Sequence, residues 1–396
     1  MADTAREAAP GSAVDPPTDS ERWRAARRYL NGHRRELAGV AAELYPELVH
    51  VAGTPLLARP EWVPSGPVAL DAIDVGWQPD APPPRLTGGE PESSRMRPPR
   101  LDGQRYASYV DALARLDPPR LLENRRTYRL LDVDLSATAR PRLQFGRGSY
   151  FDIVNICEAV AHELAGHWLQ RPANSYLKPD RLRDLLPFRA LIGDPTDPYR
   201  RPMLPAISTL TLRREPADRQ RATFVLHWRD PTRVASGGGL YQVAPVGVFQ
   251  PSHDADWNEI NDLDPWRSMV REYAEEFLGT AEDYGSDATA IDYERWPLYR
   301  RLAAARRDGR LRVSCVALGV DALTLVTDLL TVAVFDAEVF DDVFAGIVTR
   351  NDEGSSTLGV PFDAASVERY ADVEPMQPAG AALLRLAWRH RDGLLA

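Results

Sequence analysis

The sequence predicts an α/β protein, with a mixed sheet and its helices over residues 200–396 and an α+β region before it over residues 20–192. Three observations carry this assignment. Residues 207–213 alternate with period two, and residues 222–228 form a second run rich in aromatic and β-branched side chains, as paired strands require. Trp266, Val270, Tyr273 and Phe277 repeat at helical spacing and mark an amphipathic helix. The most apolar run, residues 318–335, is interrupted by Asp321 and Asp328, so it reads as two buried strands and not as a membrane span. No membrane association is expected.

Taken in order, residues 1–19 are rich in Ala, Pro and Asp and lack an apolar core segment, which predicts a disordered tail and not a signal peptide. A helix is expected over 21–45, with Ser20 as its N-cap and Pro46 as its stop. Short strands are expected at 126–133 and 140–145 and a second long helix at 152–170, around a Pro/Gly/Ser-rich loop at 78–100. After the loop at 193–201 come the two strands already named, joined by the polar turn 215–219, and a strand at 240–246. Helices at 265–278 and 297–307, strands at 311–318 and 323–335, and helices at 338–349 and 379–390 complete the chain.

The 396 residues suffice for two or three domains. A formal net charge of −9 argues against a chain whose main work is gripping nucleic acid, and nucleic acid is not an expected partner. One lysine, Lys178, stands beside 47 arginines, a bias expected of a GC-rich genome such as an actinobacterial one. Cys157 and Cys315 form neither a C-x-x-C motif nor a disulfide framework, which fits a reducing cytoplasm.

The segment with most chemical content is Arg271-Glu272-Tyr273-Ala274-Glu275-Glu276-Phe277-Leu278-Gly279. On an α-helix its three glutamates, at i, i+3 and i+4, share one face, where like charges repel unless something compensates. A hard divalent cation with oxygen ligands would do so. An acidic face turned to solvent has the same pattern, and the sequence leaves both readings open. Two other motifs carry less. His162-Glu163-Leu164-Ala165-Gly166-His167 spaces its histidines at i and i+5, about 140° apart on a helix, and so lacks the shared face of an H-E-x-x-H zinc site. Ser236-Gly237-Gly238-Gly239 has no following Gly-Lys-Ser/Thr and reads as a bend.

The nine-residue segment resembles the second half of the Nudix box, R-E-apolar-x-E-E-x-G, with Arg271, Glu272, Tyr273, Glu275 and Glu276 in register and Gly279 one residue late. The order of strands, glycine-bearing loop and acidic helix over residues 200–395 is similar to the same family. The first half of the box departs: Leu263 stands where its glutamate belongs and Trp257 where its glycine belongs. Gly247 is the substitute glycine, displaced by an insertion of roughly ten residues over 253–262, within which Glu259 is the candidate for the missing carboxylate. The resemblance implies a Nudix-like α/β/α sandwich holding Mg²⁺ or Mn²⁺ on Glu272, Glu275, Glu276 and Glu259. It further implies Glu272 as water-orienting base, Arg271 paired with Glu272 or Glu275, and hydrolysis of a nucleoside diphosphate derivative whose base stacks near Trp228 or Tyr241. The alternative, from the departures, is a sensor that binds a nucleotide-type small molecule without cleaving it, with the N-terminal region as a partner or homo-oligomer surface. A less specific similarity is to uncharacterised actinobacterial proteins in which such a region follows a helix-turn-helix domain, which this sequence lacks.

Overall fold

Strands from both ends of the chain meet in one mixed sheet. The structure is a computed structural model, and it describes residues 18–119, 122–136, 140–171, 181–229, 238–281, 284–348 and 354–396. Residues 1–17 of the tail expected at 1–19, and the Ser236-Gly237 part of the glycine run, lie outside these residues. The strands are β1 Val49–His50, β2 Leu56–Ala58, β3 Val68–Ala69, β4 Asp74–Trp77, β5 Arg126–Asp134, β6 Arg142–Ser149 and β7 Pro205–Glu215. They continue as β8 Asp218–Arg229, β9 Tyr241–Val243, β10 Val246–Val248, β11 Leu311–Asp321, β12 Thr327–Asp336 and β13 Gly354–Pro361. The large sheet has the order β1-β2-β11-β12-β7-β8-β13, with β10 on β7, β9 on β8 and β3 on β11; the small sheet is β4-β6-β5.

At the centre of the large sheet, β12 and β7 run parallel from Thr327↔Pro205 to Asp336↔Arg214, while their other neighbours are antiparallel. Helices cover both faces. The helix Pro265–Glu272 packs on β10 and β7, and Pro378–Arg389 packs across β11, β12 and β7. The expected α/β class and mixed sheet are present. The expected division between residues 192 and 200 does not divide the core. Strand β2 pairs with β11 through Leu57↔Val320, and one hydrophobic cluster runs from Trp23 to Leu395. The early apolar strands had no sheet of their own, and the open edge of β11 supplied one.

Other differences have local causes. The single helix expected at 21–45 is two, Asp19–Gly32 and Arg34–Ala42, capped by Thr18 with Glu21 in a reciprocal box and not by Ser20. The weak helix former Gly32 precedes the break at His33, and the turn sends Arg34 to Glu158, 3.1 Å away, where Arg27 also binds. The strand expected at 240–246 is split into β9 and β10 around Pro245, which has no N–H to give a ladder.

Candidate functional site

The acidic helix starts where the sequence places it. Asp264 accepts the Trp266 N–H at 2.8 Å and Pro265 occupies the first turn. Its apolar stripe is buried: Trp266, Met269, Val270, Tyr273 and Phe277 all lie in the core, and the Tyr273 hydroxyl meets Thr211 Oγ1 of β7 at 2.8 Å. Tyr273–Phe277 is a π-helical turn, so the segment leaves regular α-helical geometry after Glu272.

The three glutamates make different contacts. Glu276 accepts the backbone N–H of Val246 at 2.8 Å, and Glu275 accepts the Tyr284 hydroxyl at 2.7 Å. Burial, and then the Glu275 carboxylate, hold the Tyr284 hydroxyl well above its ordinary pKa. The Glu272 carboxyl lies against Gly247: a Cβ built on that glycine would stand 1.9 Å from Glu272 Cδ. The absence of a side chain at 247 is what permits the approach. Gly247 and Glu272 are thus brought together, as the displaced box suggests, but among the described residues no three acidic, histidine or cysteine side chains are grouped to hold a metal.

Arg271 and Glu259 have partners other than those the resemblance implies. Arg271 is buried and gives hydrogen bonds to the Tyr293 hydroxyl at 2.5 Å and the Gln250 carbonyl at 2.6 Å, with Asp262 at 3.8 Å as its ion-pair partner. Burial disfavours its charge, but Tyr293 and Asp262 outweigh this and hold the guanidinium above its usual pKa. Asp262 also accepts Tyr293, the Ser252 N–H and the Ser252 hydroxyl, at 2.6–2.8 Å. Glu259 turns away from the acidic helix and takes Arg147 of β6 in a two-pronged pair at 2.7 and 2.8 Å. Within the insertion, Asp254 and Asp256 accept from Arg126 of β5. The inserted acids therefore clasp the small sheet, whose arginines are their complement in charge.

The space over Glu272 and Glu275 is about 20 Å³, walled by Arg125, Gln250, Ser252 and Tyr284. That is room for about one water. A cavity of about 500 Å³ lies on the other face of β10. Side chains alternate along a strand, so Gly247 faces the acidic helix while Val246 and Val248 line the cavity. Asp328 of β12 also lines it, its Oδ1 accepting the Ser208 hydroxyl at 2.8 Å. Burial, reinforced by the like charge of Asp321, pushes the Asp328 carboxyl up to about 7 despite the Ser208 hydrogen bond. Sequence reasoning noted Asp328 only as an interruption of an apolar run. That interruption, a carboxyl in the middle of a buried strand, is the signal that marks it.

The other motifs are structural. His162 contacts the Tyr109 hydroxyl at 3.0 Å, and Glu163 accepts the Phe188 and Arg189 N–H groups. Trp228 and Tyr241 pack against each other with ring centroids 4.7 Å apart.

Comparison with known proteins adds little. No family model matches the chain, and no curated protein does. Among solved structures, a Nudix hydrolase from M. smegmatis is similar at 14% identity, covering 48% of this chain and 84% of its own, with a TM-score of 0.24. A score that low carries no weight in assigning the fold or activity. Among the described residues, no helix is long and apolar enough to cross a membrane.

Proposed function

We propose that this chain binds a small organic molecule in the cavity beside β10 and does not hydrolyse phosphoanhydrides on its acidic helix. The observation that supports this is the contrast in room on the two faces of β10. About 500 Å³ is open beside Val246 and Val248, and about 20 Å³ over Glu272 and Glu275. The larger volume falls in the range of ligand-binding pockets, about 300–1,000 Å³. The smaller one has room for about one water. On this proposal the three glutamates tie the acidic helix to β10 and to Tyr284, and the insertion ties the two sheets together.

The second reading is metal-dependent hydrolysis of a nucleoside diphosphate derivative, with Mg²⁺ or Mn²⁺ on Glu272, Glu275 and Glu276. It is favoured by the approach of Glu272 to Gly247 and by the water-sized space between Glu272 and Glu275. A bound cation would there lower the pKa of a water and neutralise phosphate charge. The two are separated by a phosphate-release screen with NDP-sugars, NADH, dNTPs and ADP-ribose in Mg²⁺ and in Mn²⁺. The expected result is no turnover. Turnover lost in both Glu275→Gln and Glu276→Gln would overturn the binding proposal in favour of hydrolysis.

A further inference from the structure

A carboxylate removed from water needs hydrogen-bond donors or a cation, or it is held neutral. Asp328 is 6% exposed, yet the Ser208 hydroxyl on Oδ1 is its single hydrogen bond among the described residues, and no donor there reaches Oδ2. It lines the cavity of about 500 Å³ among Leu204, Val246, Val248 and Val326.

The cavity's arginines are committed elsewhere. Arg27 and Arg34 converge on Glu158. Arg35 and Arg385 are held at residues 372–373, by the carbonyls of Asp372 and Val373 and by the Asp372 carboxylate. Arg229 is engaged as well. Asp321, the neighbouring carboxyl, is occupied by the Leu323 and Thr324 N–H groups, each at 2.8 Å. Among the described residues Asp328 is thus the least satisfied acidic group of the cavity, with one hydrogen bond and no cation where Asp321 has two hydrogen bonds, and its apolar surround magnifies any charge brought to it.

Resting on the proposal that this cavity binds a small molecule, we infer that the ligand carries an ammonium or amidinium group on an apolar body. The cation pairs with Asp328 and the body lies on Val246 and Val248. The pairing is charge-assisted and desolvated, so a neutral isostere loses most of it.

Calorimetric titration of the full chain with 4-phenylbutylamine and with 4-phenylbutanol tests the inference. The amine is expected to bind at least ten times more tightly than the alcohol. Asp328→Asn should remove that preference, and Val248→Trp, which fills the cavity, should remove both ligands. Equal affinities in the wild type, or an amine preference that survives Val248→Trp, would overturn the inference while leaving the cavity proposal standing where the alcohol still binds there. Binding of neither compound would overturn both. Should Asp328→Asn fail to fold, the wild-type ratio and the Val248→Trp control still decide.

Discussion

Replacing Arg271 with methionine separates a structural role from a catalytic one. The guanidinium is buried against Tyr293, Gln250 and Asp262, and its removal leaves the Asp262 carboxylate sealed without its cation. Breaking a buried ion pair from one side costs about 3–5 kcal/mol. Asp262 keeps four donors, from the Ser252 N–H, the Ser252 hydroxyl, Tyr293 and the Asn261 side-chain amide, which places Arg271→Met at the low end, about 3 kcal/mol. For 396 residues, an unfolding entropy of about 2.1 cal/mol/K per residue gives about 0.8 kcal/mol/K, so Tm should fall by about 4 °C. Thermal melts followed by circular dichroism, with Glu272→Gln as comparator, provide the assay. Glu272→Gln should stay within about 1 kcal/mol, in the ordinary range for a partly exposed site. An Arg271→Met melt indistinguishable from wild type would refute the reasoning, because the arginine would then not be held by the Asp262 network.

Three further outcomes follow from the same contacts. Arg147 is 58% exposed, so a double-mutant cycle of Arg147→Ala and Glu259→Ala in denaturant should give a weak coupling that added salt abolishes; a strong coupling unmoved by salt would mean the clasp is sealed from solvent. Gly247→Ala collides with the Glu272 carboxyl, so Glu272→Ala should recover most of the lost stability in the double variant, and purely additive losses would place the clash elsewhere. The Asp328 carboxyl is pushed up to about 7 from an ordinary value near 3.8. Its neutral form is therefore favoured by folding, and its contribution is complete below about pH 4 and lost as pH rises through about 7. Asp328→Asn should gain stability relative to wild type over that window in urea titrations, and parallel pH profiles would contradict the shift.

Much of the architecture was legible because it rests on local patterning. The alternation at 207–213 and the apolar run at 318–335 became β7, β11 and β12, and the stripe from Trp266 to Phe277 became a buried helix face. Strand β13 was not legible: Gly354-Ser355-Ser356-Thr357 has little strand propensity and pairs because β8 offers it an edge. Nor were β1, β2 and β3, two or three residues each, whose extended form depends on β1–β2 pairing and the edge of β11. Of the site, the sequence singled out Gly247 and Glu272 separately, and the structure sets one against the other. The partners of Arg271 and Glu259 were not, because Asp262 and Arg147 answer to charge complementarity across the fold and not to spacing along the chain.

The sequence by itself determined the α/β class, the acidic helix and the position of its glutamates, since periodicity and capping act over a few residues. Only the tertiary structure decided which way those glutamates point and where there is room for a ligand. Glu276 meets the Val246 N–H and Glu275 the Tyr284 hydroxyl, while alternation along β10 puts Gly247 toward the acidic helix and Val246 and Val248 toward the cavity. Volume is a property of elements packed together, and no pattern within one of them encodes it.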